Sequence, residues 1–457
     1  MMFTGRGLVG FFSAVAVLMS GAWGQVNSSP PGVNRSARLP VFTDITRQAG
    51  LAHKIVNGDK LSEYLIDVNG QGACFLDYNN DGFQDIFLVN GTSRKLEAAG
   101  QHPHDYLLRN NGNGTFTDVS KASKIGLPRN SYGMTSVACD FDNDGWPDIY
   151  VACDSSPSLL FMNNRDGTFR EEALLRGVGL NDDGTEQAGM GVGIGDYDSD
   201  GNLDIFKTHF ADDTNILYRN TGKGEFDDVT SATGLGVETR YVSWGAGMFD
   251  FDNNGLPDLF FVTGNVYPEL EKLLPAYPLK TPRILFRNLG GGHFEEMIEQ
   301  GGAALSSPHC SRGCAFGDFD NDGDLDILIV NLNETPSLLR NDVAKSNGWI
   351  KVKLIGTQSN RSAIGARVIA VYGQHRQAQE VQSQASFYSA NDLRLHFGVG
   401  NARQVTLEVR WTTGQTESYK NLPTSRMVTI KEGTGIVPSV GWSDANQILP
   451  PIETKRP

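Results

Sequence analysis

The 457-residue sequence predicts an all-β protein of the β-propeller class, and three observations lead to this prediction. A nine-residue pattern rich in Asp occurs five times, a short β-type segment follows every copy, and each repeat then contains a turn that begins at an Asn. Repeated units of roughly 40 to 60 residues that hold four strands each are typical of propeller blades. The 53 glycines among 457 residues also disfavour long helices.

The five copies of the Asp pattern, here loops one to five, are spaced 54 to 68 residues apart. Positions 1, 3, 5 and 9 of every copy are Asp or Asn, and position 6 is always Gly. The segments that follow (IFLV, IYVA, IFKT, LFFV and ILIV) have the composition of buried strands. One supersecondary unit per copy is therefore expected.

Each unit is predicted to contain four strands. A glycine-rich inner strand precedes the Asp loop, and the glycines fit a strand that crowds toward the axis. The second strand follows the loop, and strands three and four flank the turn at the signature Asn (Asn110, Asn163, Asn220, Asn288 and Asn341). Residues 42–46 (FTDIT) resemble an isolated fourth strand, which could pair with the other end of the chain and close the ring.

The Asp loops are predicted to bind calcium, up to five ions in all. Alternating oxygen side chains and a glycine at the sharp turn suit a hard cation, and flexible all-oxygen sites favour Ca²⁺ over Mg²⁺. The last acid is Asp at position 9 rather than Glu at position 12, so these are not EF-hands. The predicted ligands are Asp77, Asn79, Asp81 and Asp85; Asp140, Asp142, Asp144 and Asp148; Asp196, Asp198, Asp200 and Asp204; Asp250, Asp252, Asn254 and Asp258; and Asp318, Asp320, Asp322 and Asp326.

The net charge of −14 has its main source in these loops, whose ligand positions hold 18 of the 53 Asp and Glu residues. An acidic chain of this kind is a poor candidate for binding nucleic acid through phosphates, so no nucleic-acid partner is expected.

The N-terminus has the features of a signal peptide, with Arg6, an apolar run over residues 8–19 and small residues at 20–24. Residues 1–24 are predicted to be removed, and the mature protein to be secreted or periplasmic, without a lipoprotein cysteine or a transmembrane segment. The five cysteines do not form a disulfide scaffold, although Cys310 and Cys314 could close a small loop after export.

The segment 348–433 also alternates as strands but has no Asp loop. Residues 349–355 follow the last signature Asn at the place of a fourth strand and could complete blade five. The remaining strands could add blades, for about seven in total, or form a separate small β-domain, and the sequence leaves both open. Residues 434–457 are expected to be a tail.

The Asp loops over residues 41–342 resemble the FG-GAP/VCBS repeats of integrin-α-like propellers, with Asn79 and Asn254 departing slightly from the usual acids. Residues 348–433 resemble an ASPIC/UnbV domain in three segments, NRSAIGARV from Asn360, LHFGVG from Leu395 and EVRWTTG from Glu408. Together they resemble the cartilage acidic protein family. This resemblance implies the propeller architecture and implies no particular reaction or ligand.

Length variation points to the face that binds a ligand. The loops between strands two and three vary in length, whereas the Asp-loop side is nearly constant, and variable loops on a rigid scaffold usually carry binding. Residues at the starts of inner strands are therefore candidates for contact with a protein or carbohydrate ligand, namely Tyr132, Gln187, Tyr241, Trp244 and Arg312. The insert of repeat four adds Tyr267, Tyr277 and Arg283.

An enzyme is the alternative. The sequence contains no nucleophile elbow, Walker loop, HExxH motif or dinucleotide fingerprint. A calcium-dependent polysaccharide lyase or hydrolase acting in the propeller mouth would use Arg312 and His309 first, by analogy with other propellers. His102 and His104 lie in the long loop of repeat one, which is either a solvated loop or a site for a transition metal, and His396 fits a packed strand position. The sequence does not indicate the oligomeric state.

Overall fold

The computed structural model describes residues 44–51, 72–90, 93–101, 103–126, 131–343 and 346–439. These residues form 27 strands in seven sheets, with four helices of four or five residues. The protein is therefore all-β, as predicted. The predicted signal peptide, His102 and the residues from 440 onward lie outside the described part of the chain.

The first five sheets are the blades, and each is an antiparallel meander in chain order. Blade one contains β1 (Ala73–Leu76), β2 (Asp85–Leu88), β3 (Tyr106–Asn110) and β4 (Phe116–Asp118). Blade two contains β5 (Gly133–Cys139), β6 (Asp148–Cys153), β7 (Leu159–Asn163) and β8 (Phe169–Glu171). Blade three contains β9 (Gly189–Gly195), β10 (Asp204–His209), β11 (Ile216–Asn220) and β12 (Phe226–Asp228). Blade four contains β13 (Ser243–Phe249), β14 (Asp258–Thr263), β15 (Ile284–Gly290) and β16 (His293–Glu296). Blade five contains β17 (Ser311–Gly317), β18 (Asp326–Asn331) and β19 (Ser337–Leu339).

The helices are short segments in the connections between strands. They are α1 (Arg94–Ala98), α2 (Thr230–Thr233), α3 (Leu270–Leu273) and α4 (Ala303–Ser306). Helix α3 lies in the long insert between β14 and β15, on the side where the sequence places the variable loops. No helix among the described residues is long and apolar enough to cross a lipid bilayer.

Neighbouring blades pack face to face through apolar side chains. Phe141 and Tyr150 of blade two share a buried cluster with Val192 and Tyr218 of blade three. Glycines let the inner strands approach closely, since a Cβ at Gly247 of β13 would overlap the Phe316 ring of β17. The expectation that inner-strand glycines serve close approach is met here.

The C-terminal segment forms a separate small β-domain with two four-stranded sheets. One sheet has the order β23 (Leu395–Gly400), β20 (Gly348–Ile355), β26 (Arg426–Lys431) and β27 (Gly435–Val437). The other has the order β22 (His375–Glu380), β21 (Arg367–Tyr372), β24 (Gln404–Arg410) and β25 (Thr416–Pro423). The two sheets enclose their own apolar core, which includes Ile350, Val368, Leu407, Trp411 and Ile430.

This arrangement corrects several expectations. Strand β20 does not complete blade five, because it pairs with β23 and β26 and buries Ile350 and Val352 in the C-terminal core. The prediction of further blades is therefore wrong, and the alternative of a separate β-domain is confirmed. Residues 435–437, assigned to the tail from the sequence, form β27.

The expected pairing of residues 42–46 rests partly on residues 42 and 43, which lie outside the described residues. Residues 44 and 45 belong to no strand, and residues 46–50 form a turn. All five cysteines are buried and free, so the proposed Cys310–Cys314 loop is absent. Cys314 lies on β17 and Cys310 just before it, and four residues of extended chain separate them by about 13 Å, too far for a disulfide.

Candidate metal loops and the face they form

The five Asp loops share one backbone conformation. The residue at position 4 is left-handed in every loop, with φ between 53° at Asn80 and 61° at Asn143. The glycine at position 6 is also left-handed, with φ between 86° at Gly82 and 97° at Gly323. Asn and Ser tolerate the first conformation and Gly adopts the second without strain, so the local sequence alone specifies the loop.

Backbone amides orient the carboxylates within each loop, and loop three shows the pattern. Asp196 Oδ1 accepts the Asp200 amide at 3.0 Å and Oδ2 accepts the Gly201 amide at 2.9 Å. Asp204 Oδ2 accepts the amide of Tyr197 at 3.0 Å, and its Oδ1 accepts that of Asn220 at 2.8 Å. The equivalent bonds recur in the other four loops, so positions 1 and 9 are held in place by main-chain donors.

In loops two to five, the carboxylates at positions 1, 3 and 9 converge. Each group offers three oxygens that lie within 4.8 Å of one another. The members are Asp140, Asp142 and Asp148; Asp196, Asp198 and Asp204; Asp250, Asp252 and Asp258; and Asp318, Asp320 and Asp326. These clusters could hold metal ions. Loop one has Asn79 at position 3 and therefore one carboxylate fewer.

The ligand atoms of the loops fit a hard cation, because all of them are oxygens and one of them receives no hydrogen bond from any described residue. Asp198 Oδ1 is buried in loop three without a hydrogen-bond partner among the described residues. Arg219 pairs with the other oxygen, Oδ2, at 2.7 Å and also reaches Asp200 at 3.2 Å from outside the loop. A buried acceptor without a donor is unfavourable, and a cation among the three carboxylates would satisfy it.

The raised pKa values of the buried loop carboxylates also favour a bound cation. Burial raises the pKa of Asp196 to about 8, and the carboxylates of Asp200 and Asp198 add to the increase. Burial also raises the pKa of Asp258 to about 7, and it raises that of Asp204 well above the usual range together with Asp196 and Asp198. The folded loops therefore hold several carboxylates where ionisation is unfavourable without a compensating positive charge.

The signature Asn links neighbouring loops, which the sequence did not reveal. Asn220 Nδ2 donates to the Leu203 carbonyl of its own blade at 3.0 Å and to the Phe141 carbonyl of blade two at 2.8 Å. The latter carbonyl belongs to position 2 of loop two. Asn163 and Asn288 make the same pair of bonds, and Asn341 reaches back to Phe251 of loop four. We call this contact the Asn clasp.

The C-terminal domain covers the loop face, meaning the face of the propeller that carries the five Asp loops. Lys351 forms a buried ion pair with Asp318 of loop five, and Arg410 pairs with Asp140 of loop two. The Ala378 amide donates to Asp196 Oδ2 of loop three at 2.8 Å. In each case the first Asp of a loop is the acceptor, so the domain contacts the loops at the same position.

Loop four meets the domain through different groups. His396 Nε2 lies 2.8 Å from Asn253 Oδ1, and the Gly400 amide donates to the Asn253 carbonyl at 2.9 Å. Gly398 lies against Asp250, where a Cβ would overlap the carboxylate. His396 is thus a packed interface residue, in line with its predicted place in a strand.

A groove opens where the domain leaves the loop face. Its volume is about 670 Å³, and its walls include Asn143 and Asp200 of loops two and three. The opposite wall includes Arg376, Glu408 and Lys420 of the second C-terminal sheet. Its size is in the range of small-ligand sites, and its lining mixes charged and amide groups.

The predicted ligand residues lie at or near the starts of the inner strands. Trp244 and Arg312 are brought together, with the guanidinium 4.2 Å from the indole ring, and Trp244 has no exposed surface. Arg312 also donates to the carbonyls of Gly264 and Asn265, at 3.2 and 3.1 Å. Gln187 is buried and donates to Asp213 at 2.6 Å.

The other candidates are more dispersed. Tyr132 is half-buried in blade two, and Tyr241 lies under Arg240 at 4.7 Å. In the insert of blade four, Tyr267 is exposed and Tyr277 donates to Asp212 at 2.8 Å. Arg283 is buried, where it donates to the Ala304 carbonyl.

His309, named for the enzyme alternative, and His104, named for a transition metal, both have structural partners. His309 Nδ1 lies 2.9 Å from a carboxylate oxygen of Glu334, and its backbone pairs with that of Thr281. The ring of His104 packs on Tyr106 at 4.9 Å.

Comparison with known families agrees with the repeats and the domain seen in the structure. Residues 77–151, 140–207 and 196–261 match the FG-GAP-like repeat family. Residues 356–437 match the family described as ASPIC and UnbV.

Three curated relatives are similar along most of the chain. Cartilage acidic protein 1 of Homo sapiens is 27% identical over 374 residues, which cover 79% of this chain and 53% of the relative. The Mus musculus protein of that name is 27% identical over 359 residues, and the Xenopus tropicalis protein is 25% identical over 358. These two matches each cover 76% of this chain and 52% of the relative, so the chain spans about half the length of the curated relatives it matches.

Proposed function

We propose that this chain, a homologue of cartilage acidic protein 1 that contains FG-GAP-like repeats and an ASPIC/UnbV domain, is an exported calcium-binding module for recognition or adhesion. The observation that carries the proposal is the convergence of three carboxylates in each of four loops, with the buried Asp198 Oδ1 left without a hydrogen-bond donor in the described part of the chain. The family relationship supports the architecture, and the metal loops support the cation.

Calcium is the cation that fits best. Carboxylate, amide and main-chain oxygens in a flexible loop are its usual ligands, and the same set is less suited to the strict octahedron of Mg²⁺. When bound, the ion would supply positive charge that offsets repulsion among the carboxylates and holds the loop closed. Up to five ions would bind, more weakly in loops one and four, where Asn79 and Asn254 replace acids.

Two surfaces support recognition of a protein or carbohydrate ligand. The first is the variable face, where Tyr132, Tyr241 and Arg312 are partly exposed at the inner-strand starts and Tyr267 is exposed in the insert of blade four. Gln187 and Trp244 are buried at the same level and would support these residues from behind. The second is the 670 Å³ groove beside loops two and three, where Arg376 and Lys420 could bind acidic groups and Glu408, paired with Arg376, could accept hydrogen bonds from sugar hydroxyls. Export is proposed from the N-terminal 24 residues.

Calcium titration of metal-stripped protein by calorimetry tests the metal proposal, with Mg²⁺ as the matched control. We expect saturable binding of several Ca²⁺ per chain and a rise in melting temperature of many degrees. Each site contributes about 2.7 kcal/mol when calcium is at 100 times its Kd. An identical melting curve with and without millimolar calcium would contradict the proposal.

A glycan array combined with a polysaccharide degradation screen tests recognition against catalysis. Binding without new chain ends supports a recognition module, whereas new unsaturated or reducing ends would support an enzyme. Lys420→Glu and Tyr241→Ala then locate the ligand in the groove or on the variable face.

The mass of the exported protein tests the signal peptide, since cleavage after Ala22 or Gly24 is expected.

A further inference from the structure

Residues 383–392, here the axial segment, connect β22 to β23 and run among the inner strands of the propeller. The Ser386 amide donates to the Val192 carbonyl of β9 at 2.8 Å, and the Val192 amide donates back to the Ser386 carbonyl at 3.2 Å. Ser383 Oγ donates to the Phe75 carbonyl of β1 at 2.6 Å. Contacts to inner strands of different blades place the segment in the axis.

The other end of the axial segment binds blade five. The Phe316 amide donates to Asn391 Oδ1 at 3.2 Å, and the Asp392 amide donates to the Phe316 carbonyl at 3.0 Å. Ser386 Oγ lies 3.4 Å from the Cys314 sulfur on the same strand, β17. The segment is therefore held mainly by main-chain and short polar contacts.

Phe387 provides the apolar anchor of the segment. Its side chain is 1% exposed, its ring centroid lies 5.1 Å from that of Trp244, and both belong to the apolar cluster that contains Met134 and Met190. Its neighbours Ser386 and Tyr388 have left-handed backbones, with φ of 69° and 50°. Such conformations are unfavourable for non-glycine residues and persist where surrounding contacts impose them.

The inner strands make room for this segment. A Cβ at Gly245 of β13 would lie 2.7 Å from Ser386 Oγ. A Cβ at Gly313 of β17 would lie 2.6 Å from Ser389 Oγ and 3.0 Å from the Phe387 carbonyl. These glycines therefore create a channel in which a second stretch of main chain fits, in addition to the close packing between blades.

We propose that the propeller axis is a binding site for a peptide segment with an aromatic anchor, and that the axial segment is its built-in occupant. The contacts have the character of peptide recognition by strand addition, in which main-chain pairing gives affinity and a pocket for one side chain gives specificity. Trp244, a candidate ligand residue, forms the wall of that pocket, so an outside peptide would have to displace Phe387.

The axial segment belongs to the C-terminal domain, and docking of this domain depends on its contacts with the loop face. Lys351 and Arg410 pair with the first Asp of loops five and two, and the Ala378 amide binds that of loop three. If calcium orders these loops, as the proposed function holds, its removal should loosen docking and open the axis. This last step rests on the proposed calcium binding, whereas the peptide site does not.

The test uses a fluorescent synthetic peptide of residues 383–392 (SQASFYSAND) and the full chain with calcium present. Phe387→Ala removes the apolar anchor and makes the resident segment easier to displace, and we expect the peptide to bind this variant at least about tenfold more tightly than the wild type, whose anchor is in place. Leu175→Ala, at an exposed apolar side chain outside the axial segment, is the control and should behave as the wild type. A folded Phe387→Ala variant that does not bind the peptide would overturn the proposal.

Hydrogen exchange of the wild-type chain gives an independent readout if Phe387→Ala does not fold. The Val192 and Ser386 amides should exchange at one common rate, faster than the Phe206 amide within the ladder of blade three, because undocking exposes both. Exchange of all three amides only through global unfolding would contradict a releasable occupant. Faster exchange of the Val192 and Ser386 amides in chelator would support the step in which calcium removal loosens docking. If calorimetry shows calcium binding but chelator leaves the exchange unchanged, that step is wrong and the peptide site still stands.

Discussion

Replacement of the clasp residue Asn220 by alanine tests how neighbouring Asp loops are linked. In Asn220→Ala, the Phe141 and Leu203 carbonyls lose the amide donors that lie 2.8 and 3.0 Å away. The turn also loses the Asn220 Oδ1 acceptor of the Gly222 amide at 2.9 Å. Asn220 is fully buried, so water does not readily replace these bonds.

The magnitude follows from the number of buried groups left without partners. Each of the two carbonyls costs about 1–3 kcal/mol, so the variant should lose about 2 to 6 kcal/mol of folding free energy. Asn110 is the matched control, because its Nδ2 donates to the Gln84 carbonyl of its own blade at 2.9 Å and it is only half-buried. Asn110→Ala should lose about 1 to 2 kcal/mol.

Urea unfolding with saturating calcium, followed by circular dichroism, measures both losses, and calorimetry measures calcium binding to each variant. Asn220→Ala should also weaken calcium binding, since the clasp joins position 2 of loop two to position 8 of loop three. Equal losses for the two variants would refute the clasp, because the bond between blades would then contribute nothing.

Three further predictions concern the loops and the domain that covers them. In metal-stripped protein, Asp196 has a pKa of about 8 and Asp258 a pKa of about 7, so both bind a proton more tightly in the folded than in the unfolded state. This preference stabilises the fold at low pH, and the stabilisation is lost as pH rises through 7 to 8. The gain in melting temperature from calcium should therefore be small at pH 5 and large at pH 8, and a gain independent of pH would contradict it. Asp198→Ala, which removes the ligand oxygen at position 3, should reduce bound calcium by about one ion per chain, as counted by elemental analysis, while Asp166→Ala outside the loops leaves the count unchanged. Gly398→Ala should loosen the docked C-terminal domain, because the new Cβ overlaps Asp250, and faster exchange of the Val192 amide would report it, whereas Gly236→Ala should have no such effect.

Local structure was predictable from the sequence because its causes are local. The glycine at position 6 and the Asn or Ser at position 4 adopt left-handed conformations wherever they occur, so five copies of one pattern give five copies of one loop. The β-type segments beside them form strands because β-branched and aromatic residues favour that conformation locally. The four-stranded unit was likewise predictable for blades one to four.

The failures involve contacts between distant parts of the chain. The apolar alternation of β20 fits the edge of blade five as well as it fits the C-terminal core, and only the competing sheet decides between them. The second role of the signature Asn was hidden for a similar reason. An Asn that opens a turn looks the same in the sequence whether or not its amide reaches the preceding blade.

The Asp-loop side of the propeller is nearly constant in length, and the structure gives a reason for this that the sequence did not. Sequence reasoning assigned binding to the variable loops and a purely metal-related role to the Asp loops. In the structure the first Asp of three loops also accepts a hydrogen bond or ion pair from the C-terminal domain, through Lys351, Arg410 and the Ala378 amide. An insertion in any of these loops would disturb both the carboxylate cluster and the docked domain, so two geometric demands act on the same residues. A propeller of this design can vary its loops on one face because the other face holds the C-terminal domain, and with it the axial segment, in register.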